Sequence, residues 1–308
     1  SKEIGELLPE LYLHGLSKGD FELAMRGLLG DGAPLSAASI QRLKARWELE
    51  YAKWKEEDLS DFEPVYMWAD GIYVKAGLGK DKAALLVIIV AMSDGSKKVI
   101  AVESGYRESK ESWAKVLRLI KERGLRFPRL LVADGHLGIW SALSDVYPEV
   151  EEQRCWNHKI TNVLDQFPKR LRSEAAELLC EMPYAPTKAE CETMKAQFTK
   201  RFVNDYQKAV ETLDRDWERM VTFYMFPKEH WTHIRTTNVV ESPFSTVRLR
   251  TDAARRMRKV ANATALIWKV LLVVEKRFRK LNAPHILRDV YEGVKFVDGE
   301  KVSEEKAA

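Results

Sequence analysis

The fold of this chain is decided by two stretches, Val-Tyr-Met-Trp-Ala-Asp-Gly at residues 65–71 and Leu-Leu-Val-Ala-Asp-Gly at residues 130–135. Each is an apolar run that ends in an Asp-Gly pair, which is typical of a buried strand with an acidic side chain at its carboxyl end. If the two strands are neighbours in one sheet, the carboxylates of Asp70 and Asp134 converge. Two like charges that lie close together need a cation between them, so the pair predicts a metal site.

A third acidic residue, Glu241, lies in the stretch Thr-Thr-Asn-Val-Val-Glu-Ser at residues 236–242, where a helix is predicted to begin. Asn238 precedes it by three residues and shares its helix face. Carboxylates hold Mg²⁺ ions in phosphoryl-transfer sites. We therefore predict that Asp70, Asp134 and Glu241 are catalytic and bind two Mg²⁺ ions, for which Mn²⁺ can substitute. A helix-cap interpretation, with Thr237 as N-cap and Glu241 in the first turn, is compatible with this role.

The pattern of apolar residues between positions 65 and 154 predicts five strands and two helices. The strands are predicted at 65–69, 83–92, 99–102, 130–133 and 150–154, with helices between 109 and 124 and across 137–146. Asp94-Gly95, unlike the other two Asp-Gly pairs, joins two strands and predicts a hairpin turn. The order βββαβαβ predicts an RNase H-like core of the α/β (α+β) class, with three antiparallel strands followed by two that join through crossover helices.

Five segments are predicted along the chain. They are a helical N-terminal segment at 1–62, the first part of the core at 63–154, an all-α insertion at 155–232, the Glu-bearing and basic C-terminal helices of the core at 233–283, and a loose charged tail at 284–308. The first segment contains a helix, a glycine turn and a second helix capped by Ser36, which is the outline of a DNA-binding helix-turn-helix. A plain helical hairpin fits the same pattern. Residues 303–308 are predicted to be disordered.

The bulk composition of the 308 residues excludes several classes of protein. The net charge is +4, 45% of the residues are hydrophobic, and the three cysteines are too few for a disulfide framework. No apolar run approaches the roughly 18 residues that a membrane span needs, and no secretory signal pattern is present. These features predict a cytoplasmic protein that does not bind membranes.

Positive charge is concentrated near the C-terminus. Residues 228–280 contain 13 Lys and Arg residues but only four Asp and Glu residues. The densest part, residues 248–259, follows Glu241 directly, so it predicts a phosphate-binding surface beside the site of chemistry. A solvated helix face is the alternative, but in such a face acidic residues usually alternate with basic ones.

Cys155 and His158 form a C-x2-H unit directly after the fifth predicted strand. This is half of a zinc site, because a second pair is missing at usable spacing, and Cys180 or Cys191 could complete it only by folding back. A structural zinc site is therefore one interpretation of this unit.

Four blocks of the chain, in their order, resemble the DDE transposases of bacterial insertion sequences that are related to eukaryotic Mutator elements. The blocks are residues 70–75, 134–138, 153–159 and 235–242, and the resemblance runs from about residue 10 to about residue 282. It implies an RNase H-like catalytic core, an all-α insertion before the glutamate, and DNA 3′-end cleavage and strand transfer with two Mg²⁺ ions. It also implies a circular intermediate, and a C-x2-H block that positions the scissile strand.

On this resemblance, the expected partner is double-stranded DNA, both the terminal inverted repeats of an element and the target. Pairing of two ends requires at least a homodimer on DNA, and the expected location is the bacterial nucleoid. The residues predicted to contact DNA are Arg154, Cys155, Trp156, His158, Arg235, Asn238, Arg248, Arg250, Arg255, Arg256, Arg258 and Lys259. His158 can donate to a phosphate. Trp156 can stack on an unpaired base or be a buried core residue.

Two other functions fit the same residues. A structure-selective nuclease with an RNase H-like fold would hydrolyse DNA without strand transfer. A regulatory DNA-binding relative would keep the scaffold but not the chemistry, although an intact set of three carboxylates argues against that interpretation.

Overall fold

The computed structural model describes residues 13, 37–76, 83–105, 107–135, 137–253, 257 and 259–302. The first predicted helix and the glycine turn of the N-terminal segment lie outside these residues, so the helix-turn-helix interpretation stays a prediction. Its second helix is present as α1 (Ala37–Trp54). Trp47 and Trp54 on α1 are buried, so this helix packs on the rest of the molecule.

The five predicted strands are present and form one mixed sheet. They are β1 (Pro64–Val74), β2 (Ala83–Met92), β3 (Lys97–Gly105), β4 (Leu130–Ala133) and β5 (Glu151–Arg154), in the spatial order β3-β2-β1-β4-β5. The first three strands are antiparallel neighbours, and β1–β4 and β4–β5 are parallel pairs. Gly95, with φ +83°, makes the tight turn between β2 and β3 where Asp94-Gly95 predicted it.

Strand β1 is longer than the sequence predicts, and its extra residues place the site. Pairing with β4 ends at Ala69 opposite Ala133, but pairing with the long apolar β2 continues to Val74 opposite Ala83. Asp70 therefore lies where one neighbour of β1 ends and the other continues. The sequence suggested an end at Ala69 because the apolar run stops there, whereas β2 holds the following residues in the sheet.

Two apolar layers cover the sheet, and β1 contributes alternate residues to each, as the two-residue period of a strand requires. Met67 and Ala69 pack with α2 (Lys110–Glu122) and α3 (Leu137–Val146), the two crossover helices. Tyr66 and Trp68 belong to the larger core on the other face. Helix α2 begins after Ser109, whose hydroxyl accepts a hydrogen bond from the Ser112 amide at 3.2 Å, which is a side-chain N-cap.

Residues 155–232 are all described, and none of them lies in a strand. Their helices, joined by loops and short 3-10 turns, are α4 (Trp156–Leu164), α5 (Arg172–Glu181), α6 (Lys188–Phe202), α7 (Gln207–Asp214), α8 (Trp217–Val221) and α9 (Trp231–Ile234). A cluster of aromatic rings packs between them, with the Phe167 centroid 4.9 Å from those of Phe202 and Tyr206. The helical character predicted for this region is therefore present.

Two longer helices follow, α10 (Asn238–Ala253) with Glu241 in its first turn and α11 (Val260–Glu275). The prediction of a loose tail from residue 284 is wrong for the described residues. That segment contains α12 (Leu287–Glu292) and a hairpin of β6 (Phe296–Val297) and β7 (Glu300–Lys301). Leu287 and Val290 are buried, and the Arg129 guanidinium donates to the Tyr291 carbonyl at 2.6 Å. The many charged residues of the segment made its few apolar residues, which pack into the core, hard to recognise from the sequence.

None of the described helices combines the length and the apolar composition that a membrane crossing requires.

Candidate active site

The two aspartates follow paired residues on neighbouring parallel strands. Ala69 of β1 lies opposite Ala133 of β4, so Asp70 and Asp134 directly follow the last paired residues of the two strands. The Gly71 amide donates to Asp70 Oδ1 at 2.8 Å. Burial nevertheless raises the pKa of Asp70 to about 7, and the negative charges of Glu108 and Glu241 add to that rise. The charge of Glu241 on α10 therefore acts on the Asp70 carboxyl, although the two residues are 171 positions apart in the sequence.

His158 joins the second aspartate to the glutamate. Its Nδ1 lies 3.5 Å from Asp134 Oδ1 and 3.8 Å from Glu241 Oε1. The pKa of His158 is raised to about 9, first by its hydrogen bond with Cys155 and then by the two carboxylates, against the opposite effect of burial. The side chains of Asp134, His158 and Glu241 remain 22%, 33% and 33% exposed, so this cluster opens to solvent and to a large substrate.

Hydrogen bonds of the backbone fix the turn that carries His158. The Cys155 amide donates to the Ala133 carbonyl at 2.8 Å, and the Trp156 amide donates to the Arg235 carbonyl at 3.0 Å. The turn is thus held to β4 on one side and to the segment before α10 on the other. His158 then follows within the first turn of α4, which aims it at the carboxylates.

Thr237, directly before α10, connects the turn to the glutamate. Its amide donates to Cys155 Sγ at 3.3 Å. Its hydroxyl lies 3.2 Å from the same sulfur and also within hydrogen-bonding distance of Glu241 Oε1. A hydroxyl has one proton to donate, so it donates to one of these partners at a time. The Thr237 carbonyl accepts from the Glu241 amide at 3.0 Å, which places Thr237 at the N-cap position considered above.

The C-x2-H unit has a third potential ligand, which spacing alone did not predict. One ligand atom each of Cys155, His158 and Glu241 lie within 4.8 Å of one another. Sulfur, nitrogen and carboxylate oxygen together suit Zn²⁺. The earlier interpretation needed Cys180 or Cys191, but Cys180 is exposed on α5 and Cys191 is buried on α6. Among the described residues, Asp70, Asp134 and Glu241 do not form such a group, so the donor atoms that lie together around Glu241 are those of the mixed set.

Four of the residues predicted to contact DNA are buried, so those predictions are wrong for this structure. Trp156 is 1% exposed and its indole donates to the Met220 carbonyl at 2.8 Å, which confirms the core alternative. Arg154 is 8% exposed. It pairs with Asp216 at 2.5 Å and donates from Nε to the Asp134 carbonyl at 3.1 Å. Cys155 and Arg250 are 0% and 2% exposed.

Arg235 is half-buried and serves the interior. Its guanidinium donates to the carbonyls of Trp231, at 3.1 Å, and Pro183. It also lies over the Tyr184 ring, 4.3 Å from the centroid. These contacts tie the segment before α10 to the helices of residues 155–232, so Arg235 supports the position of Thr237 and Glu241 rather than a DNA strand.

The remaining predicted contacts are exposed or lie outside the described residues. His158 opens to solvent beside the carboxylates, and Asn238, Arg248 and Lys259 are exposed. The Asn238 amide oxygen accepts from Asn157 Nδ2 at 3.3 Å, next to His158. Arg255, Arg256 and Arg258 lie outside the described residues, so their role stays a prediction.

Sequence reasoning missed one acidic residue of the site. Glu108, in the loop before α2, approaches Gly71 so closely that a Cβ at that glycine would lie 2.6 Å from its Oε1. Its charge contributes to the raised pKa values of Asp70 and Tyr73. No motif or spacing in the sequence distinguishes Glu108 from other surface glutamates. Gly71 was the available signal, since a glycine inside a strand marks a close approach.

Comparison with known proteins identifies the family of the chain. The family described as "Transposase, Mutator family" matches residues 1–280 of the chain. The chain is 42% identical over 296 residues to the transposase for insertion sequence element IS6120 of Mycolicibacterium smegmatis, covering 96% of this chain and 92% of that protein. It is 39% identical over 279 residues to the transposase for IST2 of Acidithiobacillus ferrooxidans, covering 90% and 94%.

A more distant relative extends the same pattern. The transposase for IS256 in transposon Tn4001 of Staphylococcus aureus is 25% identical over 276 residues, covering 85% of this chain and 68% of that protein. The family match and the two nearer relatives each span nearly the whole chain, including both strand-end aspartates, the C-x2-H turn and Glu241. The chain therefore belongs to the Mutator family of transposases.

Proposed function

We propose that the protein is a DDE transposase that cleaves the 3′ ends of an insertion sequence and joins them to new DNA by a two-metal mechanism. The observation that carries the proposal is the convergence at His158, whose Nδ1 lies within 4 Å of both Asp134 and Glu241, while Asp70 follows the neighbouring strand. The sheet order β3-β2-β1-β4-β5, with crossover helices before β4 and β5, supports an RNase H-like core.

The donor set fits Mg²⁺. Asp70, Asp134 and Glu241 offer carboxylate oxygens only, which are the ligands that Mg²⁺ prefers. Burial raises the pKa of Asp70 and so disfavours its ionised form. A cation beside this carboxylate would stabilise the ionised form. Two bound ions would activate the attacking oxygen and stabilise the leaving 3′ oxygen. Mn²⁺ has the same ligand preference and should substitute.

The chain's own residues would position the DNA strand. His158, partly exposed beside two of the carboxylates, donates to an oxygen of the scissile phosphate. Thr237 and Cys155 orient His158 and Glu241 through the contacts described above. Cleavage and strand transfer can use the same site, because in both reactions an oxygen nucleophile displaces a 3′ oxygen in line at phosphorus. Water is the nucleophile of the first, and the freed 3′-hydroxyl is the nucleophile of the second.

Nicking of a supercoiled plasmid tests the catalytic assignment. The wild type should nick with Mg²⁺ or Mn²⁺, and Asp134→Ala should lower the rate at least about a thousandfold, because a ligand that orients the reacting groups is lost. Asp94→Ala is the matched control, since Asp94 also precedes a glycine but lies in the exposed β2–β3 turn, where its carboxylate accepts hydrogen bonds from Ser96 of the same turn. Activity that survives in Asp134→Ala would rule out the two-metal assignment.

Strand transfer separates this proposal from a nuclease with the same core. Pre-cleaved element ends, incubated with a target plasmid and Mg²⁺, should become covalently joined to the plasmid. Hydrolysis without any joined product would instead favour the structure-selective nuclease. Since two ends must be brought together, we further propose that the protein acts on DNA as a dimer or larger assembly, which light scattering with and without DNA measures.

A further inference from the structure

A cavity of about 370 Å³ lies beside the first turn of α10, next to the candidate active site. Its walls come from the start of β3, from α9, from α10, and from the end of α11 with the residues that follow it. The charged and polar residues that line it are Lys97, Thr232, His233, Asn238, Ser242, Arg277 and Arg279. No acidic side chain is among the described residues of this lining, so the cavity has a cationic character.

The cavity is connected to the carboxylates through α10. Glu241 lies between Asn238 and Ser242 in the sequence of this helix, and residues three and four apart are neighbours on a helix surface. The Asn238 side chain also accepts from Asn157 at 3.3 Å, and Asn157 precedes His158. The rim of the cavity is therefore continuous with the turn that carries His158, and a polymer bound at the carboxylates can extend into it.

Two side chains of the cavity are held in place by the backbone. Lys97 Nζ donates to the Arg279 carbonyl at 2.8 Å, which fixes the loop that carries Arg279. His233 Nε2 accepts from the Asn282 amide at 3.3 Å. Burial and the charge of Lys97 lower the pKa of His233. Because Nε2 accepts a hydrogen bond, the proton of the neutral ring lies on Nδ1.

Arg277 and Arg279 supply the exposed charge. Both side chains are exposed, and neither forms an ion pair with the part of the chain that the structure describes. The nearest acidic residue in the sequence, Glu275, forms an ion pair with Lys98 at 3.5 Å and accepts a hydrogen bond from the Val99 amide at 2.6 Å. Guanidinium groups match phosphate oxygens in geometry as well as in charge.

We propose that this cavity binds a backbone phosphate of the DNA strand that passes through the active site, next to the scissile position. The proposal rests on the DNA-cleaving function proposed above and names the part of the surface that holds the flanking strand. Because it uses the phosphate alone, the contact does not depend on base sequence.

A larger cavity among the described residues offers the opposite chemistry. It measures about 1250 Å³ and lies between β5, the helices of residues 155–232 and the C-terminal hairpin. Seven acidic side chains line it, against three basic ones: Glu151, Glu152, Glu192, Asp214, Asp216, Glu218 and Asp298, against Lys188, Lys195 and Arg219. A phosphate would be repelled there, so volume alone does not identify the DNA site.

Salt-dependent binding of the full chain to DNA tests the proposal. The probe is a fluorescein-labelled duplex of random sequence in EDTA, titrated at several KCl concentrations, and the variant is Arg277→Ala with Arg279→Ala. Each phosphate contact contributes about one unit to the slope of log affinity against log salt. We expect the slope to become less steep by about two units and the affinity at low salt to fall about tenfold.

Two further variants exclude general effects of charge and folding. Arg170→Ala with Lys208→Ala removes the same charge from exposed positions in residues 155–232 and should keep the wild-type slope. Arg277→Lys with Arg279→Lys should keep most of the salt slope, since the positive charges remain. A wild-type slope in the alanine pair, or an equal change in the control pair, would overturn the proposal.

Plasmid nicking by the same variants separates this proposal from the proposed function. The alanine pair should raise KM while kcat at saturating plasmid stays at the wild-type value, because both arginines lie away from the reacting atoms. Absence of nicking in the wild type would count against the catalytic assignment alone, since the salt slope is measured without cleavage. Normal nicking with an unchanged KM in the alanine pair would count against the cavity alone.

Discussion

Two groups of cationic side chains lie on the elements near the candidate active site, and the fold uses them in opposite ways. Beside the turn after β5, Arg154 is almost buried and Arg235 is half-buried, and both bind groups of the protein itself. On the surface of α10 and after α11, Arg248 and Arg277 are exposed and form no ion pair among the described residues. A high density of basic residues in the sequence therefore indicates a DNA-binding surface only if those residues are exposed in the fold.

Removal of Arg154 should have the largest effect on stability. The Arg154 and Asp216 side chains are only 10% and 8% exposed, and loss of one partner from a buried pair costs about 3–5 kcal/mol. We expect Arg154→Met to lower the free energy of unfolding by about 3 kcal/mol. The low end applies because Arg219 still pairs with Asp216 at 3.0 Å. Urea unfolding followed by circular dichroism measures the change.

The exposed pair of Arg201 with Glu174 provides the matched control. These side chains are 52% and 42% exposed, and surface pairs contribute about 0–1 kcal/mol. Arg201→Met should therefore change the free energy of unfolding by less than about 1 kcal/mol. Equal losses in the two variants would show that burial does not separate the two groups of cations.

Helix periodicity separates Arg248 from Arg250, although the sequence pattern placed both on one phosphate-binding surface. Residues that are two positions apart on an α-helix point in directions about 200° apart, so Arg248 and Arg250 cannot share a face. Val240, Phe244, Val247 and Arg250 follow the spacing i, i+4, i+7, i+10, and all four are buried. The apolar spacing was therefore a usable signal that Arg250 faces the core. The dense run of charges drew the interpretation towards a single phosphate surface instead.

Other parts of the site could be predicted because their signals are local. Strand β4 has the predicted bounds, since Leu130 to Ala133 is an apolar run closed by Asp134. The pairing of β1 with β4, whose last paired residues precede Asp70 and Asp134, followed from the predicted order of the elements. The extension of β1 to Val74 and the approach of Glu108 to Gly71 depend on partners far along the chain. Such long-range packing leaves little trace in the residues near each position.

Replacement of Trp156 tests whether the turn after β5 is an interior element or a stacking surface. Trp156→Phe removes the donor to the Met220 carbonyl and leaves space beside Trp217, whose ring centroid lies 5.8 Å away. We expect a loss of about 2 kcal/mol in the free energy of unfolding. The affinity for single-stranded DNA should not change, whereas a base-stacking residue would cost about 1–3 kcal/mol of binding. Fluorescence anisotropy with a labelled single strand measures this affinity.

Arg248→Ala should have the smallest effect on the folded protein and act only on DNA. Arg248 is exposed and forms no ion pair among the described residues, so its loss should change the free energy of unfolding by less than about 0.5 kcal/mol. Because it lies two turns after Glu241 on α10, we expect it to contact one phosphate, and its loss should make the salt slope of DNA binding less steep by about one unit. A change in the free energy of unfolding without a change in that slope would show that Arg248, like Arg154, stabilises the protein itself. Exposure would then no longer distinguish the cations that bind DNA from those that stabilise the fold.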